Sequence, residues 1–236
     1  MLDKPAIPPR ARLAASPLEV LQVLPAIGRL MVTANHSGAT HERIGTVEAV
    51  TFRDGWAILS GAEHESRIEL AAIAEIVVDR SSVMRDKAYP RLDLLRADGS
   101  AIAGIVGFEG LEPFDVAVSG LALDAAVEPR PEKPASRGDE AAADDAGRVR
   151  LEAAQQAGDE VVIGFRRPGF RQVWRGRIEA VKPAMGFINV MRPDFHLHLK
   201  AGAVAEWRDG GDGTFEAFGP EGAPIGLSLA FTSARA

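Results

Sequence analysis

The sequence predicts an α+β protein built from two tandem units, each a large antiparallel β-sheet with flanking helices. Three observations carry the duplicated sheet. Apolar and polar residues alternate over short runs bounded by Gly, Pro, Asn and Asp, as half-buried strands require. These runs recur in the same order in two stretches of the chain. Between the stretches lies "EPRPEKPASRGDEAAADDAG", residues 128–147, which has no apolar periodicity and reads as a solvated linker. The boundaries implied are a disordered leader over 1–15, a first unit over 16–127, a linker over 128–145 and a second unit over 146–236.

The elements follow in order. "SPLEVLQVLPAIGR" opens the first unit: Ser16 as N-cap, Pro17 at N1 and Glu19 at N3 form a capping box, so a short helix should run to about Leu24. In the second unit Asp145 can cap a helix that Gly158 ends. Strands come next. "RLMVTAN" corresponds to "DEVVIGF", "IGTVEAVTF" to "WRGRIEAVKP" and "WAILSG" to "GFINVM". "SRIELAAIAEIVVDR" corresponds to "FHLHLKAGAVAEWRD", and "YPRLDLLRADGSAIAGIVGF" to "GTFEAFGPEGAPIGLSLAF". "ADGS" and "PEGA" fall at matching places and read as hairpin turns. Two related sheets packed face to face would hide both apolar faces.

Composition narrows the function. The 236 residues carry a net charge of −6, which argues against general binding to nucleic acid or anionic lipid. Cysteine is absent, which removes disulfides, thiolate metal sites and cysteine nucleophiles together. No apolar run approaches the roughly 20 residues of a membrane helix. The N-terminus lacks the continuous apolar core of a secretory signal, so the cytoplasm is the expected location. "GDGTFEAFGPEG" is no phosphate loop, because no Lys-Ser or Lys-Thr follows it, and there is no G-x-S-x-G elbow.

Strand alternation gathers ionisable groups. Phe195, Leu197 and Leu199 point one way; Asp194, His196, His198 and Lys200 point the other. In the first unit Ser66, Ile68 and Leu70 oppose Glu65, Arg67 and Glu69. Aligning Leu199 with Leu70 sets His196 opposite Arg67 in the repeat. Three readings compete: a polar outer sheet face; a metal site in which His196 and His198 supply two imidazoles and Asp194 or His64 a third ligand; or a site for a flat anionic cofactor.

"GFINVMRPDFHLHLKAGAVAEW" resembles the C-terminal half of haem-utilisation proteins of the HemS/ChuS type. Asn189, Val190, Met191, Pro193, Asp194, Phe195, Leu197, His198 and Leu199 match that pattern, while Arg192 and His196 depart from it. "GRLMVTANHSGATHERIGTVEAV" is similar to the first-half pattern at Gly28, Met31, His41, Glu42 and Gly45, with Arg43 for a lysine. The resemblance extends to the one-unit, dimerising ChuX/HutX proteins.

The resemblance implies a tandem two-sheet fold, haem as ligand or substrate, and cytoplasmic handling of haem iron. It implies haem between the halves, with a first-half arginine facing the iron; Arg67 is the matching position. The family's iron-binding histidine has no counterpart, since residues 110–170 contain no histidine. The candidate haem residues are therefore Arg67, His196, His198, His41, Tyr89, and Arg166 and Arg171 of the basic hairpin "RRPGFRQVWRGR", with His196 and His198 as candidate metal ligands. In that hairpin the arginines would hold propionates and Phe170 and Trp174 form an aromatic wall.

The function expected is a haem carrier or store. A haem-degrading enzyme and a non-haem interaction module are the alternatives. The expected partners are haem and a haem-transport or haem-degrading protein, with no nucleic acid and no membrane insertion, in a monomer or homodimer.

Overall fold

The computed structural model describes residues 8–129 and 140–232. The first half runs β1 (Arg10–Leu13), α1 (Pro17–Gln22), β2 (Arg29–His36), β3 (Ala39–Thr46), β4 (Ala49–Arg53), β5 (Trp56–Gly61), β6 (His64–Glu69), β7 (Glu75–Asp79), β8 (Val83–Met84), β9 (Lys87–Ala88), β10 (Arg91–Leu95), β11 (Ala101–Gly107), α2 (Leu111–Val118) and β12 (Leu123–Ala126). The second half runs α3 (Ala146–Ala157), β13 (Val161–Arg167), β14 (Phe170–Gly176), β15 (Val181–Ala184), β16 (Phe187–Arg192), β17 (Phe195–Lys200), β18 (Glu206–Asp209), β19 (Thr214–Phe218) and β20 (Pro224–Phe231). Among the described residues no helix is long and apolar enough to cross a membrane.

The local signals act as the sequence implies. Ser16 Oγ accepts from the Glu19 backbone at 3.3 Å, and Glu19 Oε2 accepts from the Ser16 backbone at 2.8 Å. Such a cap stabilises a helix by about 1 kcal/mol. Asp145 Oδ1 accepts from the backbones of Gly147 and Arg148, and Gly158 ends α3 at φ +66°. Gly99 and Gly222 turn the two matching hairpins at φ +78° and +72°.

The strands form two large antiparallel sheets. Sheet A has the order β12-β1-β7-β10-β11-β2-β3-β17-β16-β15, and sheet B the order β18-β19-β20-β13-β14-β6-β5-β4. Under the correspondence of β2–β7 with β13–β18, and of β10 and β11 with β19 and β20, one order becomes the other. The α+β class and the tandem duplication therefore hold. The sequence does not specify an exchange, however: each half lends three strands to a sheet that the other half supplies with the rest, seven strands in sheet A (β12 and β1 having no counterpart) and five in sheet B. Residues 10–13, expected in a disordered leader, instead form β1 between β12 and β7. Residues 1–7 and 130–139, the rest of the expected leader and much of the expected linker, lie outside the described residues.

Packing follows from alternation. Leu30, Val32, Phe195 and Leu197 of sheet A and Ile163, Phe165, Phe170 and Trp174 of sheet B are all at most 2% exposed. They fill the space between the sheets, with Trp174 stacked on Phe195 at 4.5 Å. That filling overturns one expectation: the space between the sheets is a packed core, not a slot for a flat ligand.

Candidate functional site

The two solvent-facing surfaces of the sandwich remain, and the predicted residues divide between them. On sheet A, β3 and β17 pair with Glu42 opposite His196 and Thr40 opposite His198. β2 adds Thr33 opposite Glu42, and β16 adds Asn189 opposite His198. All these side chains share the outer face, because their neighbours Val32, His41, Leu197 and Val190 point into the core.

The row is hydrogen-bonded. His196 Nδ1 lies 3.2 Å and His198 Nε2 3.7 Å from the same oxygen, Oε2, of Glu42. Thr33 Oγ1 donates to Glu42 Oε1 at 3.1 Å. Burial alone would raise the Glu42 carboxyl; hydrogen bonds and charge from His196 and His198 outweigh it and hold the group at about 2.

Beside this row lies a cavity of about 630 Å³. Its apolar lining comes from Met31, Met84, Val106 and Phe108, and Arg29, Lys87 and Arg91 bring positive charge. Tyr89 and His196 also line it. Tyr89 sits edge-on to Phe108 at 5.8 Å, with the Lys87 ammonium 5.8 Å from its ring centre. Arg91 is held by Asp93 at 2.7 Å, and Arg29 donates to the Pro193 carbonyl at 2.8 Å.

The outer face of sheet B holds the predicted arginines. Arg67 pairs across strands with Arg171, and Arg171 with Arg166. Arg171 lies 5.3 Å from the ring centre of Trp56, and Arg166 is paired with Glu216 at 2.7 Å. A smaller cavity of about 270 Å³ includes His36, Arg166, Arg167 and Arg171 in its lining. Phe170 and Trp174 face the core from the same hairpin, so the expected wall of aromatics beside arginines does not form.

Several sequence expectations are corrected. Arg67, Arg166 and Arg171 stand on the opposite side of the sandwich from His196, His198 and Tyr89. They cannot share one ligand with them, because strand exchange puts β6 in sheet B and β17 in sheet A. The repeat register also differs by two residues: Ile68 opposite Phe170 matches Leu199 opposite Ala39, so Arg67 corresponds to His198, not His196. His41 is fully buried, with Nδ1 2.8 Å from Gln172 Oε1 and Nε2 3.3 Å from the Ile163 carbonyl, so it is not placed to meet a ligand. Burial pushes it down to about 4. His64 faces the core on β6, and Asp194 accepts from Trp174 Nε1 at 2.9 Å, so neither completes the histidine pair. The third partner is Glu42, which sequence reasoning missed. Its signal was the outward position in β3, and only the β3–β17 register reveals it.

The fold and site define a class first: a duplicated, strand-exchanged antiparallel sandwich with a cationic, apolar-lined cavity on one outer face. No family model matches the chain, and no curated protein does. Among solved structures it is similar to ChuS, a haem oxygenase of E. coli, with a TM-score of 0.74 and 16% identity over 96% of this chain and 84% of that one. It is also similar to PhuS, a haem-binding protein of Pseudomonas aeruginosa, in the apo form at TM-score 0.73 and 18% identity, covering 95% and 82%. The holo form gives TM-score 0.72 and 19% identity, covering 96% and 82%. The resemblance carried by the two sequence motifs is thus matched in fold.

Proposed function

We propose that the protein binds haem in the cavity on the outer face of sheet A and serves in the cytoplasm as a haem carrier or store. The observation that carries this reading is the composition of that cavity. Its volume of about 630 Å³ falls in the usual range for small-molecule sites, about 300–1,000 Å³. Its lining has what a flat, apolar, doubly anionic ring needs: Met31, Val106 and Phe108 against the ring, and Arg29 and Lys87 toward the carboxylates. Tyr89 supplies a phenol that makes no hydrogen bond to protein among the described residues. Tyrosine is an established haem ligand.

ChuS is named a haem oxygenase and PhuS a haem-binding protein, and the shared fold supports haem handling without choosing between them. Tyr89 favours holding over degradation. A hard, anionic phenolate prefers the higher oxidation state of iron, whereas oxygen activation begins from the lower one.

The test is a hemin titration of the full chain, followed in the Soret region. Saturation at one equivalent is expected, with the band shifted and binding weakened at least tenfold in Tyr89→Phe. Arg29→Ala with Lys87→Ala should also weaken it, while Arg67→Ala on the far face should not. Weak, non-saturating uptake, or identical spectra for Tyr89→Phe and the parent chain, would reject the site.

A further inference from the structure

We infer that Glu42, His196 and His198 form a binding site for a divalent first-row transition ion, zinc or ferrous iron, beside the cavity that Glu42 and His196 also line. One Glu42 oxygen and one nitrogen of each imidazole lie within 4.8 Å of one another. Donor atoms about 2.0–2.1 Å from a tetrahedral ion stand roughly 3.3 Å apart. The separations of 3.2 and 3.7 Å from Glu42 Oε2 to the two imidazoles bracket that value. Two imidazoles and a carboxylate on one sheet face are a donor set for zinc or ferrous iron, with remaining positions open to water.

The surrounding groups aim these donors. Asn189 Nδ2 donates to the Lys182 carbonyl at 2.9 Å and the Phe187 carbonyl at 3.2 Å, which fixes Asn189 Oδ1 as an acceptor. That oxygen lies 2.6 Å from His198 Nδ1, so His198 carries its proton there. In the neutral ring, Nε2 then presents a lone pair toward the Glu42 carboxylate. That lone pair and the Glu42 oxygen 3.7 Å away can share one cation. An imidazole that gives its other N–H to a fixed carbonyl oxygen is the usual outer shell of a metal-bound histidine. Thr33 orients the second Glu42 oxygen in the same way.

The chain supports this site through its register. His196 and His198 come from one half and Glu42 from the other, and the strand exchange alone makes them neighbours. The dyad-related positions carry Glu65, Arg67 and Val173, which cannot form such a site. The donor set therefore belongs to one face only.

The test uses the full, tag-free chain, stripped with chelator and titrated calorimetrically with Zn²⁺. Co²⁺ serves as a second probe through its visible ligand-field absorption. One Zn²⁺ per chain is expected, unaffected by excess Mg²⁺. Affinity should fall at least 100-fold in His198→Ala and in the near-isosteric Glu42→Gln. Asn189→Ala, outside the donor set, should weaken it by about 10- to 100-fold. Thermal melts confirm that each variant is folded. No saturable uptake, or uptake unchanged in Glu42→Gln and His198→Ala, overturns the site and leaves protons as the cations between these groups. Tyr89→Phe should retain full Zn²⁺ binding and His198→Ala full hemin binding, so either reading can fail alone.

Discussion

His41 and Gln172 occupy the same position in the two repeats and hydrogen-bond to each other, Nδ1 to Oε1 at 2.8 Å, in the middle of the sandwich. Each also reaches the equivalent carbonyl of the opposite half: His41 Nε2 lies 3.3 Å from Ile163 O, and Gln172 Nε2 donates to Val32 O at 3.2 Å. Gln172 Nε2 further donates to Ser66 Oγ at 2.9 Å. The pair crosses the pseudo-twofold relation between the halves and ties sheet A to sheet B through polar bonds inside an apolar core. Buried polar groups of this kind are stable only when every member is satisfied.

Substitutions at the pair should therefore rank by what they leave unpaired. His41→Gln makes the two positions alike and can keep the contact. His41→Ala leaves both a void and an unpaired Oε1 at Gln172. Its cost should be about 2–5 kcal/mol, and that of His41→Gln less than half as much. Urea unfolding followed by far-UV circular dichroism measures both. Equal losses in the two variants would show that ring volume matters and the bond does not.

Stability should fall as pH drops from about 6.5 to 4. Burial holds both His41 and His64 at about 4, against an ordinary value of 6.5. Between these values the unfolded chain binds protons that the folded chain refuses, so stability is full above 6.5 and lost on the way down. At 1.36 kcal/mol per unit, each histidine accounts for at most about 3 kcal/mol. Glu42, held at about 2, loses its contribution only below about 4.5, a separate and more acidic window. Urea midpoints at pH 7.5, 5.5 and 4.5 check the first window. The double variant His41→Gln/His64→Phe, the latter copying its repeat partner Phe195, should flatten it.

Two glycines with the same φ should respond differently to alanine. Gly55 and Gly226 both have φ +81°. A Cβ on Gly55 meets nothing within 4 Å, whereas on Gly226 it would stand 2.0 Å from the Arg166 carbonyl oxygen. Gly55→Ala should cost only the left-handed penalty, about 1–2 kcal/mol. Gly226→Ala should lose clearly more and loosen the β13–β20 pairing, which amide hydrogen exchange at Phe165 would report.

The sequence made much of this fold legible because its signals are local. Capping at Ser16 and Asp145, turns at Gly99 and Gly222, and period-two alternation each act within a few residues. The inward and outward sets of β6 and β17 followed from alternation alone. Partnership between strands far apart in the chain was not legible. Nothing near Arg67 says that β6 joins β14 rather than β3, and that choice separates Arg67 from His196 by the thickness of the sandwich. His41 looked like a ligand because it sits in the first-half motif, yet its inward parity, shared with Ala39 and Arg43, already pointed it at the core. Glu42 has the opposite parity, and only its register with β17 makes it a partner of His196.

Strand exchange leads to the last prediction, about the halves as separate chains. Expressed alone, residues 8–127, which keep β1, would have to place β4, β5 and β6 without β14, and the edge of β3 without β17. Both exposed edges carry unpaired backbone groups and an apolar face that includes Leu59, Ile68, Leu30 and Val32, all fully buried in the whole protein. The same holds for residues 140–236, which keep the Asp145 cap, where β15, β16 and β17 would lose β3. Neither half should fold as a monomer. Each should aggregate or pair with itself, using its own three-strand ribbon where the other half's belongs. Mixing the two during refolding should restore one complex of equal stoichiometry, with near-UV circular dichroism from Trp174 stacked on Phe195. A stable, cooperatively unfolding monomer of either half, seen by light scattering and urea melts, would show that the exchange is dispensable.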